Sequence, residues 1–108
     1  MGWQRVCKLV DIAADQAHQF DADGHKIAVA RVGDDVFAVD DRCTHEEWSL
    51  CDGYVEGGQI VCGLHQARFD LRTGQVTMAP ATEPLGTFAA RVIDGDVWVD
   101  PDTRVVTG

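Results

Sequence analysis

Long apolar runs are missing from this sequence of 108 residues, and an export leader is not expected. A helix needs about 18 or more consecutive apolar residues to span a bilayer, and no such run occurs, so we expect no membrane segment. The first residues carry no basic stretch followed by an apolar one, which is the pattern of a secretory leader. We therefore expect a cytoplasmic protein in a reducing compartment.

Positive charge is also scarce in the chain. There are 9 Lys and Arg against 18 Asp and Glu, which gives a formal net charge of −9 at pH 7. A surface with this charge repels phosphates, so nucleic acid is not an expected partner. The charge suits docking onto basic patches of other proteins. On charge alone, however, simple solubility is the favoured explanation.

The order of short strands and turns predicts an all-β fold with antiparallel sheets in a sandwich. The length fits a single domain over residues 1–108, and the chain has no internal repeat or linker. Strand-like residues flank Gly33 and also the Asp94–Gly95 pair, which predicts two hairpins. Predicted strands cover residues 5–10, 26–32, 36–40, 59–62, 67–71, 75–78, 87–93 and 97–100, with a helical turn within 12–20 and a long loop over 41–58.

Cysteine and histidine are the residues that point to chemistry. The cysteines are Cys7, Cys43, Cys51 and Cys62. Metal binding is a better interpretation than a disulfide framework, because no leader indicates export and two of the cysteines lie close to histidines. These two form Cys43-Thr44-His45 and Cys62-Gly63-Leu64-His65, with sixteen residues between the motifs.

The order of the ligands distinguishes two kinds of metal site. Structural zinc sites usually keep a pair of cysteines together and a pair of histidines together. Here each motif mixes one thiolate, which suits iron–sulfur iron, with one imidazole. If each motif gives its cysteine to one iron and its histidine to the other, the two irons become chemically different. The sequence therefore favours a dinuclear cluster, and zinc stays open as the alternative.

The two motifs resemble the cluster-binding boxes of Rieske proteins. The whole length is similar to the free-standing Rieske ferredoxins of bacterial aromatic-ring dioxygenase systems, and the likeness extends through residues 49–53, 68–70 and 72–74. The resemblance implies three stacked antiparallel sheets with a two-loop tip that holds one Rieske 2Fe–2S cluster. It also implies that Cys43 and Cys62 hold the inner iron. By the same resemblance, His45 and His65 hold the outer iron near solvent.

The resemblance further implies a soluble carrier of single electrons. Its donor would be a flavoprotein NAD(P)H ferredoxin reductase, and its acceptor a terminal Rieske non-haem iron aromatic-ring dioxygenase. The only other histidines are His18 and His25, which lack ligand spacing. We therefore expect no second metal site, and the chain alone is not expected to be an enzyme. A monomer is expected, because a carrier has to release its partners.

The residues around the second box bear on the reduction potential. Rieske potentials span about −150 to +300 mV, and high-potential members place a Ser and a Tyr hydroxyl where this chain has Ala67 and Phe69. Those members also join the boxes by a disulfide, at positions that match Trp48 and Leu64. By this resemblance we expect a potential at the low end of the range. Gly63 stands where the box usually has proline, and we expect a glycine there to give a more flexible loop.

Two other functions stay open from the sequence. One is a small Rieske-like subunit of a nitrite-reductase-type complex, although the presence of all four ligands argues against a version without a cluster. The other is a structural zinc-binding interaction module, which the mixed ligand order disfavours. Colour distinguishes them, because a zinc protein is colourless and a Rieske protein is red-brown.

The remaining residues have structural interpretations. Cys7 is predicted to be a small core residue and Cys51 a thiol near the surface. Asp70 is predicted to cap a turn after its strand. Three glycines, Gly53, Gly58 and Gly74, are predicted to adopt positive φ in turns.

Overall fold

The computed structural model describes residues 3–22, 24–41, 49–62, 67–78 and 85–105. In these ranges the chain forms ten strands and two single-turn 3-10 helices, at Leu9–Asp11 and Leu50–Asp52. The strands are β1 (Gln4–Lys8), β2 (Ala17–Ala22), β3 (His25–Val32), β4 (Asp35–Asp40), β5 (Tyr54–Glu56), β6 (Gln59–Val61), β7 (Arg68–Asp70), β8 (Val76–Met78), β9 (Thr87–Ile93) and β10 (Asp96–Val105). Within the same ranges, no helix is long and apolar enough to cross a membrane.

Antiparallel pairing organises the strands into two sheets. The larger sheet has the order β1-β10-β9-β4-β3-β2, and the smaller has the order β5-β6-β7-β8. The two halves of the larger sheet meet between β4 and β9, which share only the pairs Ala38–Phe88 and Val39–Thr87. The structure therefore has two sheets where the resemblance implied three, because the pairing of β4 with β9 joins six strands into one sheet. The all-β antiparallel prediction is confirmed.

The two predicted hairpins form where the turn residues allow a positive φ. Asp94 and Gly95 have φ of 51° and 80°, and β9 and β10 pair directly on either side of them. These angles fit a type I′ turn, whose twist matches that of the flanking strands. Gly33 has φ of 61° in the turn between β3 and β4. The local turn chemistry thus sets the register of both hairpins.

Strands β3 and β4 separate two apolar cores. Alternation along β3 sends Ala28 and Ala30 into one core and Ile27 and Val29 into the other, and all four are fully buried. The first core lies between these strands and the smaller sheet. Its buried members are Ala28, Ala30, Val39, Leu50, Val55, Ile60, Cys62, Ala67, Phe69, Leu71 and Leu85. Fully burying a side chain the size of Phe69 contributes about 1.5–3 kcal/mol.

Three local predictions are wrong. The helical turn expected within residues 12–20 is absent; a 3-10 turn lies just before it, and Ala17–Ala22 forms β2, which pairs with β3. The guanidinium of Arg31 on β3 donates to the carbonyl oxygens of Leu9 and Ile12 at 3.3 and 2.9 Å. This long-range contact fixes residues 9–12, and the sequence of that segment does not encode it.

The predicted loop over 41–58 is also wrong in its second half. The second 3-10 turn, Leu50–Asp52, and strand β5 both lie there. Strand β5 is only three residues long and forms because β6 supplies a partner, with Val55 opposite Ile60. Gly53 ends the 3-10 turn with φ of −92°, so the positive φ predicted for it is wrong. Gly58 has φ of 77°, so the positive φ predicted for it is confirmed.

The turn after β7 brings a distant segment against the smaller sheet. The Asp70 carboxylate accepts hydrogen bonds from the backbone N–H groups of Arg72 and Thr73 at 2.8 and 3.3 Å, which confirms the predicted cap. Gly74 has φ of 76°, as predicted. Its carbonyl accepts a 2.8 Å hydrogen bond from the backbone N–H of Leu85. The turn therefore anchors the chain where it leads into β9.

Candidate metal centre

One predicted ligand, Cys62, lies in the described part of the chain. It directly follows β6 and is 1% exposed. The other three predicted ligands, Cys43, His45 and His65, lie outside the described residues. Within the described ranges, which hold only this one predicted ligand, no three metal-binding side chains converge. The site is therefore built from the positions where the two segments that carry the predicted ligands (the ligand segments) begin and end.

The pairing of β6 with β7 holds both ends of the second ligand segment, residues 62–66. The backbone N–H of Cys62 donates to the carbonyl oxygen of Ala67 at 2.8 Å. The adjacent pair, Val61 with Arg68, is already part of the β6–β7 ladder. The ladder therefore fixes both ends of this segment, and residues 63–66 connect β6 to β7.

Hydrogen bonds made by Asp41 join the two ends of the first ligand segment, residues 42–48. The carbonyl oxygen of Asp41, which follows β4, accepts a 2.7 Å hydrogen bond from the backbone N–H of Leu50. The Asp41 carboxylate accepts further hydrogen bonds from the Ser49 hydroxyl at 2.6 Å and from the Cys51 N–H at 3.0 Å. One residue before the segment is thus bonded to three consecutive residues after it.

The same apolar core lies beneath both ligand segments. Val39 and Leu50 lie within three residues of the first segment, Cys62 begins the second segment and Ala67 follows it. All four belong to the first core. None of them is more than 1% exposed. Residues next to both segments therefore pack into one core, which is compatible with the predicted shared metal centre.

The surroundings of Cys62 fit a metal-bound thiolate. The residue is buried among apolar members of the first core, including Ala67 and Phe69. A bare thiolate is unfavourable in such surroundings, and coordination to a metal ion compensates its charge. Two thiolates with two imidazoles are also the donor set of a Rieske cluster. The residues present therefore fit a Rieske 2Fe–2S cluster.

The other two cysteines have different environments. Cys7 is buried in the second core, which confirms its predicted role, and burial raises the pKa of its thiol. Cys51 is half-buried and packs against the first core, so it is less accessible than the predicted surface thiol. Burial, followed by hydrogen bonding to Asp41, raises the pKa of the Cys51 thiol well above its usual range. Among the described residues, burial dominates the pKa of both thiols, unlike the electropositive surroundings of a reactive cysteine.

The remaining histidines are on the surface, as predicted. His18 is exposed on β2, and His25 is exposed at the start of β3. The His25 Nε2 lies 2.8 Å from Asp40 Oδ1, and the ring meets Phe88 edge-on at 5.5 Å. The structure therefore gives His25 a structural contact on the sheet.

Sequence reasoning missed Asp41. Its carboxylate lies in a polar stretch, Asp40-Asp41-Arg42, that looks solvent-exposed, yet Asp41 is 2% exposed. A serine and a cysteine eight and ten residues further along supply its hydrogen bonds. No local pattern in the sequence marks this pairing.

Comparison with known proteins decides the family. Residues 2–89 match the Rieske 2Fe-2S domain. The chain belongs to this family. It is 36% identical to the ferredoxin component of biphenyl 2,3-dioxygenase from Rhodococcus jostii, over 99% of this chain and 100% of that protein. It is 39% identical to the anthranilate 1,2-dioxygenase ferredoxin subunit of Burkholderia cepacia, over 91% of each chain. Ferredoxins are electron carriers and not catalysts.

Solved structures agree with this Rieske assignment. The chain superposes with a TM-score of 0.89 on a structure described as a complex of reduced oxygenase and oxidised ferredoxin in carbazole 1,9a-dioxygenase, at 34% identity and 97% coverage of both chains. It also matches the carbazole 1,9a-dioxygenase ferredoxin of Nocardioides aromaticivorans at a TM-score of 0.88, with 33% identity over 94% of this chain and 99% of that one. A nitrite reductase small subunit of Mycobacterium tuberculosis, at 20% identity and a TM-score of 0.80, shares the fold alone.

Proposed function

We propose that this Rieske protein is a single-domain carrier of single electrons in an aromatic-ring dioxygenase system. One observation carries the proposal: a relative named as a ferredoxin component is matched over its whole length, at 36% identity. The other relatives cited above are also dioxygenase ferredoxins. The likeness to a nitrite reductase subunit extends only to the fold, so it does not favour that alternative.

The proposed ligands of the cluster are Cys43, His45, Cys62 and His65. When bound, the 2Fe–2S cluster accepts and releases one electron. The chain itself supplies two ligand segments whose ends are fixed by hydrogen bonds at Asp41 and between Cys62 and Ala67. It also buries Cys62 in an apolar core, which keeps water from that thiolate. Rigid ends favour electron transfer because little rearrangement accompanies the change of charge.

The proposed partners are a flavoprotein NAD(P)H ferredoxin reductase as donor and a terminal Rieske oxygenase as acceptor. Support for the acceptor comes from the similar ferredoxin that was solved in a complex with its oxygenase. The net charge of −9 suits transient docking onto a basic surface, because opposite fields speed the encounter of two proteins. A monomer in the cytoplasm is the form we propose for such a carrier.

The proposed potential lies at the low end of the Rieske range. Ala67 and Phe69 are fully buried beside the second ligand segment, and neither side chain has a hydroxyl that could donate to a cluster sulfur. Hydrogen bonds to the sulfurs tune cluster potentials. A low potential suits a carrier that receives electrons from a reduced flavin and delivers them to an oxygenase.

The test combines composition, spectroscopy and electron delivery. The purified protein should contain two irons and two sulfides per chain and, after reduction with dithionite, give a rhombic paramagnetic resonance signal of low average g. It should also couple NADH oxidation to oxygenase turnover when mixed with the reductase and oxygenase of a biphenyl dioxygenase system. A colourless protein that contains zinc would overturn the proposal, and a cluster protein that carries no electrons to any ring-hydroxylating oxygenase would favour a nitrite-reductase-type role.

Two cysteine variants make the ligand assignment specific. Cys62→Ser should lose the cluster, because a serine hydroxyl is a poor replacement for a thiolate ligand. Cys51→Ser is the matched control, since Cys51 packs against the same core but lies outside the proposed ligand set. Equal iron contents in the two variants would contradict the assignment of Cys62.

A further inference from the structure

Asp41 is a buried carboxylate bonded from three directions. Its Oδ2 accepts hydrogen bonds from the Ser49 hydroxyl at 2.6 Å and from Gln19 Nε2 at 2.5 Å, and its Oδ1 accepts one from the Cys51 N–H at 3.0 Å. The residue is only 2% exposed, and no buried side-chain polar atom in the described part of the chain lacks a partner. A buried carboxylate that is fully hydrogen-bonded holds its donors firmly, because an unmade bond there is costly.

These contacts connect different parts of the fold at one point. Gln19 comes from β2, whereas Ser49 and Cys51 lie immediately after the first ligand segment. The backbone N–H of Asp41 also donates to the carbonyl of Lys26 on β3 at 3.1 Å. Asp41 therefore fixes the start and the end of residues 42–48 to each other and to the larger sheet.

We propose that Asp41 is the positioning residue of the first ligand segment, which it holds so that Cys43 and His45 meet the cluster in one arrangement. This inference rests on the proposed function, because it takes those two residues as ligands. Asp41 precedes Cys43 by two residues, and its bonds to Ser49, Leu50 and Cys51 leave only seven residues between the fixed points. Replacing groups that orient metal ligands typically lowers metal affinity by about 10- to 100-fold, and we expect the lower affinity to appear as faster metal release.

A second carboxylate on the same protein provides a matched control. Asp70 also accepts hydrogen bonds from two backbone N–H groups in a turn, at 2.8 and 3.3 Å. It lies at the end of β7 that is remote from the second ligand segment, which joins β7 at its start. Asp70→Asn therefore removes the charge of a half-buried capping carboxylate, keeps the Oδ1 acceptor of the turn, and leaves the end of either ligand segment untouched.

The experiment compares Asp41→Asn, Ser49→Ala, Ser49→Thr and Asp70→Asn with the wild-type protein carrying its cluster. Three quantities are measured: the rate of iron loss to a chelator, the line width of the paramagnetic resonance signal, and hydrogen exchange of the peptide over residues 49–53. Asp41→Asn and Ser49→Ala should lose iron about 10- to 100-fold faster than wild type. Both should also show broader signals, because the ligands then occupy more than one arrangement, and faster exchange over 49–53.

Ser49→Thr, which keeps the hydroxyl, and Asp70→Asn should retain iron at the wild-type rate and keep the wild-type line width. Iron loss in Ser49→Ala at the wild-type rate would overturn the proposal, and that variant decides the matter if Asp41→Asn fails to fold. Equal acceleration in Asp70→Asn would also overturn it, because general loosening of the fold would then explain the effect. A wild-type protein that contains no cluster would instead refute the proposed function.

Discussion

Gly74 allows a sharp test of how the smaller sheet is fixed to the rest of the fold. A Cβ built at this position would lie 2.2 Å from the backbone oxygen of Leu85, a distance at which the backbone has to move. Gly74 also has φ of 76°, a region that costs residues with a side chain about 1–2 kcal/mol. Gly74→Ala therefore combines a conformational cost with a steric clash against backbone.

Gly58 separates these two costs. It has nearly the same φ, 77°, but a Cβ there would meet no atom within 4 Å. Gly58→Ala should therefore destabilise the protein by about 1–2 kcal/mol through conformation alone. Gly74→Ala should lose about 1–3 kcal/mol more, the typical cost of overpacking. For a domain of this size, that difference lowers the thermal midpoint of Gly74→Ala by at least about 4 °C below that of Gly58→Ala.

The assay is thermal unfolding of wild type and both variants, followed by circular dichroism at one scan rate. A common scan rate is needed because proteins with bound clusters often unfold irreversibly, so their midpoints depend on the rate of heating. Equal midpoints for the two variants would refute the reasoning. The backbone at Leu85 would then give way without cost, and the contact between the Gly74 turn and the chain entering β9 would not stabilise the fold.

Three further predictions concern single side chains. Ala67→Ser should raise the midpoint potential by about 20–60 mV, which is the effect of one hydrogen bond to the reduced cluster. Redox titration measures this potential, and an unchanged value would argue against contact between residue 67 and the cluster. Cys51 should react with iodoacetamide at pH 8.5 far more slowly in the folded protein than in urea, because burial and Asp41 raise the pKa of its thiol; equal rates would contradict this. Arg31→Met should cost about 1–3 kcal/mol of unfolding free energy, since the half-buried guanidinium bonds three backbone carbonyls. Denaturant unfolding would check it, with the exposed Arg5→Met as a control that should leave the midpoint unchanged.

Much of the fold was predictable because its signals are local. The Asp94–Gly95 turn and the alternation along β3 and β4 depend on residues next to one another in the chain, and both hairpins are confirmed. Strand β5 and the placement of residues 9–12 were not predictable, because they depend on β6 and on Arg31. The φ of Gly53 was also not predictable, because it depends on the 3-10 turn that Gly53 ends.

The sequence by itself determined the class of fold, and it predicted the chemistry of the proposed site. Two motifs that each pair a cysteine with a histidine identified the Rieske family, which the comparisons confirm. The ligand set of Cys43, His45, Cys62 and His65 stays a prediction. This prediction was possible from sequence alone because the order of cysteine and histidine along the chain is a local, covalent property.

Only the tertiary structure decided what holds the two ligand segments. It buried Asp41 in a stretch that reads as polar surface, and it set the ends of both segments on one apolar core. It also brought the Leu85 backbone against Gly74. These features arise when segments far apart in the sequence pack together, since burial and hydrogen-bond partners are properties of the assembled fold.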